Sequence, residues 1–152
     1  MDTRVHISIE VSDLANSIAF YSKLFRTDAT KVRTDYANFR LESPPLHLAL
    51  VHKPGRTKEP GFEQGGNRHF GVELFSHDIL KAWLSTAQNS GLVIRVEEDI
   101  TCCYAKADKF WAQDPDGHEW EVWVRTAEAE SMHDETKAAT KTAACCAPSC
   151  CA

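Results

Sequence analysis

The sequence predicts an α+β fold: two βαβββ modules forming a concave mixed sheet around a metal cavity, followed by a disordered, cysteine-containing tail. Three observations predict it. Two alternating segments, each led by a histidine, recur at one offset; each is followed by a helix-spaced segment; and three strand-like stretches come after each of those. His69 lies 63 residues after His6 (69 − 6), and at that offset Glu10 matches Glu73 and the aromatic Phe20 matches Trp83. The alternative to a repeat is two α+β stretches that are alike by coincidence.

Strand side chains alternate between faces. In the first segment Val5, Ile7, Ile9 and Val11 therefore share one face, and His6, Ser8 and Glu10 the other. In the second, Phe70, Val72 and Leu74 oppose His69, Gly71 and Glu73. Ser12 or Asp13 can accept from the free N–H groups at the start of the first helix, where Leu14, Ile18, Tyr21 and Phe25 fall at helical spacing. Ser76 can do the same for the second helix, with Ile79, Leu80, Trp83, Leu84 and Ala87 on one side and Gly91 as terminator. Strands are then expected near 29–33, 36–42 and 46–52 in the first half, and near 92–97, 104–113 and 118–124 in the second. Asp114-Pro115-Asp116-Gly117 separates the last two with strong turn chemistry. A stretch over 53–67, with Pro54, Gly55, Pro60, Gly61, Gly65 and Gly66, joins the halves. The expected organisation is one domain over 1–125, with modules at about 1–60 and 66–125, and a tail over 126–152.

A chain of 152 residues suits one compact domain or two small modules sharing a core. A formal net charge of -5 argues against a nucleic-acid partner, because phosphate binding needs a basic surface. No apolar run approaches the ~20 residues that span a bilayer. The N-terminus alternates like a strand and does not resemble a signal peptide, so the expectation is a cytoplasmic protein with no membrane partner. The six cysteines come as adjacent pairs: Cys102-Cys103, Cys145-Cys146 and Cys150-Cys151. A disulfide between sequence neighbours is strained, and a reducing cytosol keeps thiols free. Paired free thiols suit soft, thiophilic partners. The tail has almost no large apolar side chains to offset chain entropy, hence its expected disorder, with a frayed helix at its start as the one element it could hold. Its CC-x₃-CC arrangement does not match structural zinc spacing.

His6, His69 and Glu121 each fall on the non-apolar face of an expected strand; in the last strand Trp120, Val122 and Val124 oppose Glu119, Glu121 and Trp123. Two imidazoles and one carboxylate make the facial set associated with non-haem Fe(II) and open coordination positions. Any one of His47, His52 and His118 could replace a ligand in that set, and Glu119 or Glu121 could simply face solvent. Cys102 and Cys103 could hold one atom together only if the backbone turns between them; the alternative is two small buried apolar residues.

The strand histidines His6 and His69, together with the D114-P-D-G-H-E-W-E121 hairpin, resemble the vicinal oxygen chelate superfamily over roughly residues 4–125. The resemblance implies that His6, His69 and Glu121 are metal ligands. Glyoxalase-type members commonly add a carboxylate from the other module, but Leu46–Val51 has none, which favours dioxygenase-like chemistry over an isomerase; His47 could compensate. The segment from Thr101 to Glu121, with D35-Y-A-N-F39, S43-P-P-L-H-L-A-L50 and the cysteine-rich tail, is similar to the organoarsenical carbon–arsenic lyases. That likeness implies Fe(II) at the two-histidine, one-glutamate site, O₂ as co-substrate, and a trivalent organoarsenical, methyl or aromatic, held by Cys102 and Cys103. As(III) is thiophilic, and Lys106 or Lys109 could assist by lowering a thiol pKa. The cavity could be built within one chain or across a homodimer. Rival readings are a non-catalytic protein that sequesters arsenicals, soft metals or a toxic compound, and a glyoxalase-like metal-dependent isomerase.

Overall fold

Alternation and helical spacing build the same unit twice in the computed structural model, which describes residues 3–56 and 69–133. The first module runs β1 (Val5–Val11), α1 (Leu14–Phe25), β2 (Lys31–Val32), β3 (Tyr36–Leu41), β4 (Leu46–His52). The second runs β5 (His69–Leu74), α2 (His77–Asn89), β6 (Val93–Cys102), β7 (Ala105–Gln113), β8 (Glu119–Glu128). The sheets have the orders β1-β4-β3-β2 and β5-β8-β7-β6. In each, the first strand is parallel to the last and the other pairs are antiparallel. An identical strand order in both halves is what a repeat produces and chance similarity does not. By its internal contacts the chain divides into two units, Met1–Glu59 with Asp114–Gly117, and Pro60–Gln113 with His118–Ala152.

In the first unit the apolar face of the sheet, including Ile9, Val11, Phe39, Leu48 and Leu50, is buried with Phe20, Tyr21, Leu24 and Phe25 of α1. The helix is rotated from the expected face: Ser17, Phe20, Tyr21, Leu24 and Phe25 are its buried residues, while Leu14 and Ile18 are half-buried. The three aromatic rings bury more area than the aliphatic residues, so they set the rotation. Asp13 is the N-cap and accepts from Asn16 N at 2.9 Å. Ser12 is not the cap; its own N–H donates to both oxygens of Asp116 at 3.1 Å. Tyr21 Oη donates to Asp114 Oδ2 at 2.8 Å, and Asp116 N donates to Asp114 Oδ1 at 3.0 Å. The two carboxylates of the Asp-Pro-Asp-Gly turn are almost wholly buried, at 3 % exposure each, and are kept there by these donors.

In the second unit Val72, Leu74, Phe110, Trp120, Val122 and Val124 are buried with Leu80, Trp83 and Ala87 of α2. The apolar stripe of α2 is narrower than expected, since Ile79 is exposed and Leu84 half-buried. Ser76 occupies the N-cap position without a side-chain cap bond. Gly91 follows the helix with φ +69°, a left-handed conformation that glycine adopts without steric cost.

Three strands depart from the expected bounds by more than one residue. β2 is only Lys31–Val32. β6 continues past Glu97 to Cys102, through an irregularity between Glu97 and Ile100 where Asp99 has φ 47° and donates its N–H to Asp108 Oδ1 at 2.8 Å. β8 continues through Glu128, so residues 126–128 are strand and not tail. Their side chains bury little, but their backbone pairs with the start of β7, Glu128 with Ala105 and Ala127 with Lys106. Residues 57–67 of the joining stretch and the tail cysteines Cys145, Cys146, Cys150 and Cys151 lie outside the described residues. Among the described residues no helix is long and apolar enough to cross a membrane.

Replacing Tyr21 with Phe takes a buried donor from Asp114. We expect a loss of about 1–3 kcal/mol, seen as a lower urea midpoint at unchanged slope.

Candidate functional site

The register of β5 on β8 builds a polar pair in the second unit. His69 lies opposite Glu119 and Gly71 opposite Glu121. Glu121 crosses over Gly71, and its Oε1 lies 3.3 Å from His69 Nε2. A Cβ on Gly71 would stand 3.0 Å from Glu121 Cγ and 3.3 Å from Oε1, so a side chain here would push the Glu121 side chain aside by a few tenths of an ångström. The other carboxylate oxygen, Oε2, accepts from Lys109 Nζ at 3.0 Å. Lys109 is only 6 % exposed, and its ammonium also lies 5.3 Å from the centroid of the Trp111 ring. Trp111 meets His69 edge-on at 5.0 Å, donates Nε1–H to Glu97 Oε2 at 2.9 Å, and carries the Arg95 guanidinium over its ring at 4.6 Å. The Glu121 carboxyl is pulled two ways. Burial raises its pKa, while the hydrogen bond from His69 and the Lys109 ammonium lower it; the net shift is downward. The group therefore stands as a carboxylate at neutral pH.

The corresponding register in the first unit has a different chemistry. His6 of β1 lies opposite His47 of β4, and Ser8 opposite Ala49. The rings of His6 and His47 stack at 4.6 Å with 19° between planes. Burial first, then the nearby His6, Arg40, Arg4 and Lys31, hold the His47 pKa below its ordinary value. His47 is thus a neutral imidazole at neutral pH, and its buried Nε2 has no hydrogen-bond partner among the described residues. Ala49 stands where Glu121 stands in the second module, two residues beyond the partner of the histidine.

The donor set fits a divalent cation. Two ligands about 2.1 Å from an ion at right angles lie about 3.0 Å apart, close to the 3.3 Å between His69 Nε2 and Glu121 Oε1. Lys109 holds the far oxygen, which orients the near one. Within neither unit, among the described residues, do three or more His, Cys, Asp or Glu side chains gather as a metal cage. His6 belongs to the first unit, and His69 and Glu121 to the second.

Cys102 ends β6, and Cys103-Tyr104 form the two-residue turn into β7, with Cys102 paired to Ala105. Cys103 and Tyr104 both have positive φ, 53° and 62°. This is the pattern of a type I′ hairpin turn, normally filled by Asn-Gly. The turn removes the alternation that would send adjacent side chains apart, and the two sulfurs lie 3.5 Å from each other. Cys103 is exposed and Cys102 half-buried, so the alternative of two buried apolar residues does not hold. Lys109, one of the lysines expected to assist a thiol, has its ammonium on Glu121, and Lys106 Nζ lies 3.7 Å from Asp99 Oδ1.

Lys109 as the partner of Glu121, and Trp111 as the wall beside His69, were not foreseen. The available signal was period two in β7, which puts Lys109, Trp111 and Gln113 on the face opposite Phe110 and Ala112.

Residues 3–122 match the Glyoxalase/Bleomycin resistance protein/Dioxygenase superfamily. Over 152 aligned residues, 94% of this chain and 89% of the relative, the chain is 38% identical to a protein of Bacillus sp. (strain MD1) named trivalent organoarsenical cleaving enzyme. It is 37% identical over 131 residues, 86% of this chain and 81% of the relative, to the cadmium-induced protein CadI of Mycobacterium tuberculosis (strain ATCC 25618 / H37Rv). Its fold is similar to the crystal structure of a glyoxalase/bleomycin resistance protein/dioxygenase from Alicyclobacillus acidocaldarius, with TM-score 0.64 at 16% identity over 82% of this chain and 92% of that one.

Tyr104 has a Cβ in a conformation that glycine tolerates better. Tyr104→Gly is expected to stabilise the chain by about 0.5–1 kcal/mol, the relief of left-handed strain less the entropy of glycine, read as a higher urea midpoint.

Proposed function

The chain belongs to the Glyoxalase/Bleomycin resistance protein/Dioxygenase superfamily, and on that footing we propose that it is an Fe(II)-dependent dioxygenase that cleaves the carbon–arsenic bond of trivalent organoarsenicals. The products are inorganic arsenite and an oxidised organic fragment, and the consequence is organoarsenical resistance in the cytoplasm. The observation that carries this reading is the Cys102–Cys103 turn, two accessible thiols 3.5 Å apart on one hairpin tip. As(III) bearing one carbon substituent has two exchangeable oxygens, which is the demand two thiols meet. The name of the Bacillus relative points to the same substrate class.

In this reading His6, His69 and Glu121 hold the metal. Bound there, Fe(II) would supply the redox chemistry that O₂, the co-substrate, requires. Lys109 keeps Glu121 turned toward His69, and the edge of Trp111 limits rotation of the His69 ring. Cys102 and Cys103 hold the arsenic and leave the As–C bond intact for attack. Ala49, standing where a second carboxylate would be, weighs against the four-ligand isomerase arrangement.

The exposure of the thiol turn also favours a second reading, sequestration without cleavage, since two thiols suffice to bind arsenic or a soft metal. Anaerobic loading with Fe(II) and a methyl or phenyl As(III) compound, followed by O₂ and arsenic speciation, separates the two. Arsenite that forms only with both Fe(II) and O₂ supports cleavage; an intact, bound arsenical supports sequestration. Cys102→Ser or Cys103→Ser is expected to abolish turnover while leaving Fe(II) binding unchanged. If both single variants kept full activity, the thiols would not be the arsenic anchor. Gly71→Ala, which pushes Glu121 off its path, is expected to weaken Mn(II) affinity by about tenfold or more in an electron-paramagnetic-resonance titration.

A further inference from the structure

The chain does not stop where β8 ends. Beyond Glu128, the last residue paired with β7, residues 129–133 pass over the tip of the β6–β7 hairpin. Ala129 N donates to Tyr104 O at 2.8 Å, on the side of the turn that leads into β7. Cys103 N donates to Met132 O at 3.0 Å, and His133 forms a bridge with Cys102, on the side that leads out of β6. The same short segment therefore grips both arms of the turn and both of its left-handed residues.

That grip answers a difficulty posed by the turn. Neither Cys103 nor Tyr104 is a residue that favours positive φ, and a hairpin tip of this kind would relax in isolation. Relaxation would separate the two thiols. A trivalent arsenical with two hydroxyls reacts by exchanging each As–OH for an As–S bond. Each thiol proton leaves with a hydroxyl as water, and arsenic remains trivalent throughout. The second bond closes a ring between adjacent residues, so it forms well only if both sulfurs already sit on one side of the turn.

We infer that residues 129–133 are a positioning strap that holds Cys102 and Cys103 ready for a single As(III). The proposal rests on the reading of those thiols as the arsenic anchor. It adds that the grip of the strap on Cys103 N and Tyr104 O sets their affinity. The strap acts through the turn and touches no arsenic itself.

The test uses the 152-residue, metal-free chain carrying Cys145→Ser, Cys146→Ser, Cys150→Ser and Cys151→Ser, so that Cys102 and Cys103 are the cysteines left to bind. Phenylarsenite is titrated calorimetrically under argon. This parent is expected to take one equivalent. Ala129→Pro removes the N–H that holds Tyr104 O and should weaken binding about tenfold, the usual scale of lost preorganisation. Adding Tyr104→Gly to that variant lets the turn hold its shape unaided and should restore most of the affinity, a rescue that general damage to β8 would not allow. Unchanged affinity in Ala129→Pro overturns the strap and leaves the functional reading standing. A parent that takes up no phenylarsenite overturns both. Hydrogen exchange on the parent gives an independent check that needs no proline. Amides at 102–104 and at 129–133 should gain protection together when phenylarsenite binds, and protection confined to 102–104 overturns the proposal.

Discussion

The parallel pairing of the first strand of each module with its last is the constraint on which the rest depends. A parallel pair cannot be closed by a tight turn, so the chain must leave and cross over, and here it does so through a helix and two further strands. That detour produces the βαβββ order twice, and it fixes what faces each leading histidine. In one module the register presents His47 to His6; in the other it presents Glu119 and, two residues on, Glu121 to His69 and Gly71. A slip of one residue would turn the polar row of either sheet into its core.

Within that shared plan the two modules differ at the cross-strand positions beside each leading histidine, and the second of these decides where a carboxylate can lie. Where β4 carries Ala49, β1 carries Ser8; where β8 carries Glu121, β5 carries Gly71. A long carboxylate needs a vacant neighbour to lie across, and a small residue does not. The second module thus gains a carboxylate beside its histidine, steadied by a buried lysine. The first retains a pair of stacked imidazoles, one held neutral by burial and by surrounding positive charge. Charge follows the same division. Lys109 and Glu121 neutralise each other away from solvent, which makes a buried ammonium tolerable.

The thiol pair follows a different logic. It sits at a hairpin tip, where a two-residue turn brings adjacent side chains together, which an extended strand cannot do. The conformation is uncomfortable for the residues present, and the segment beyond β8 supplies the contacts that offset it. Local strain of this sort persists only when its surroundings over-determine it.

What the sequence determined alone was whatever depends on period. Alternation assigned the faces of His6, His69 and Glu121, helical spacing located both helices, and the Asp-Pro-Asp-Gly signature marked the turn before β8. β4 even has the expected ends, Leu46 and His52. Tertiary structure decided whatever depends on partners distant in sequence. The extension of β8 to Glu128 rests on backbone pairing with β7, which residues 126–128 do not advertise. The rotation of α1 onto Phe20 and Leu24 reflects the sheet it covers. The buried aspartates of the turn are held by Ser12 and Tyr21, about a hundred residues earlier (116 − 12, 114 − 21). The choice of Lys109 for Glu121 is likewise a matter of register between strands, and the bonds from residues 129–133 to the turn at Cys103 and Tyr104 join segments equally distant in sequence. A sequence shows the period of each strand but not its alignment with the next, because that alignment is set by the combined burial and hydrogen bonding of the whole sheet.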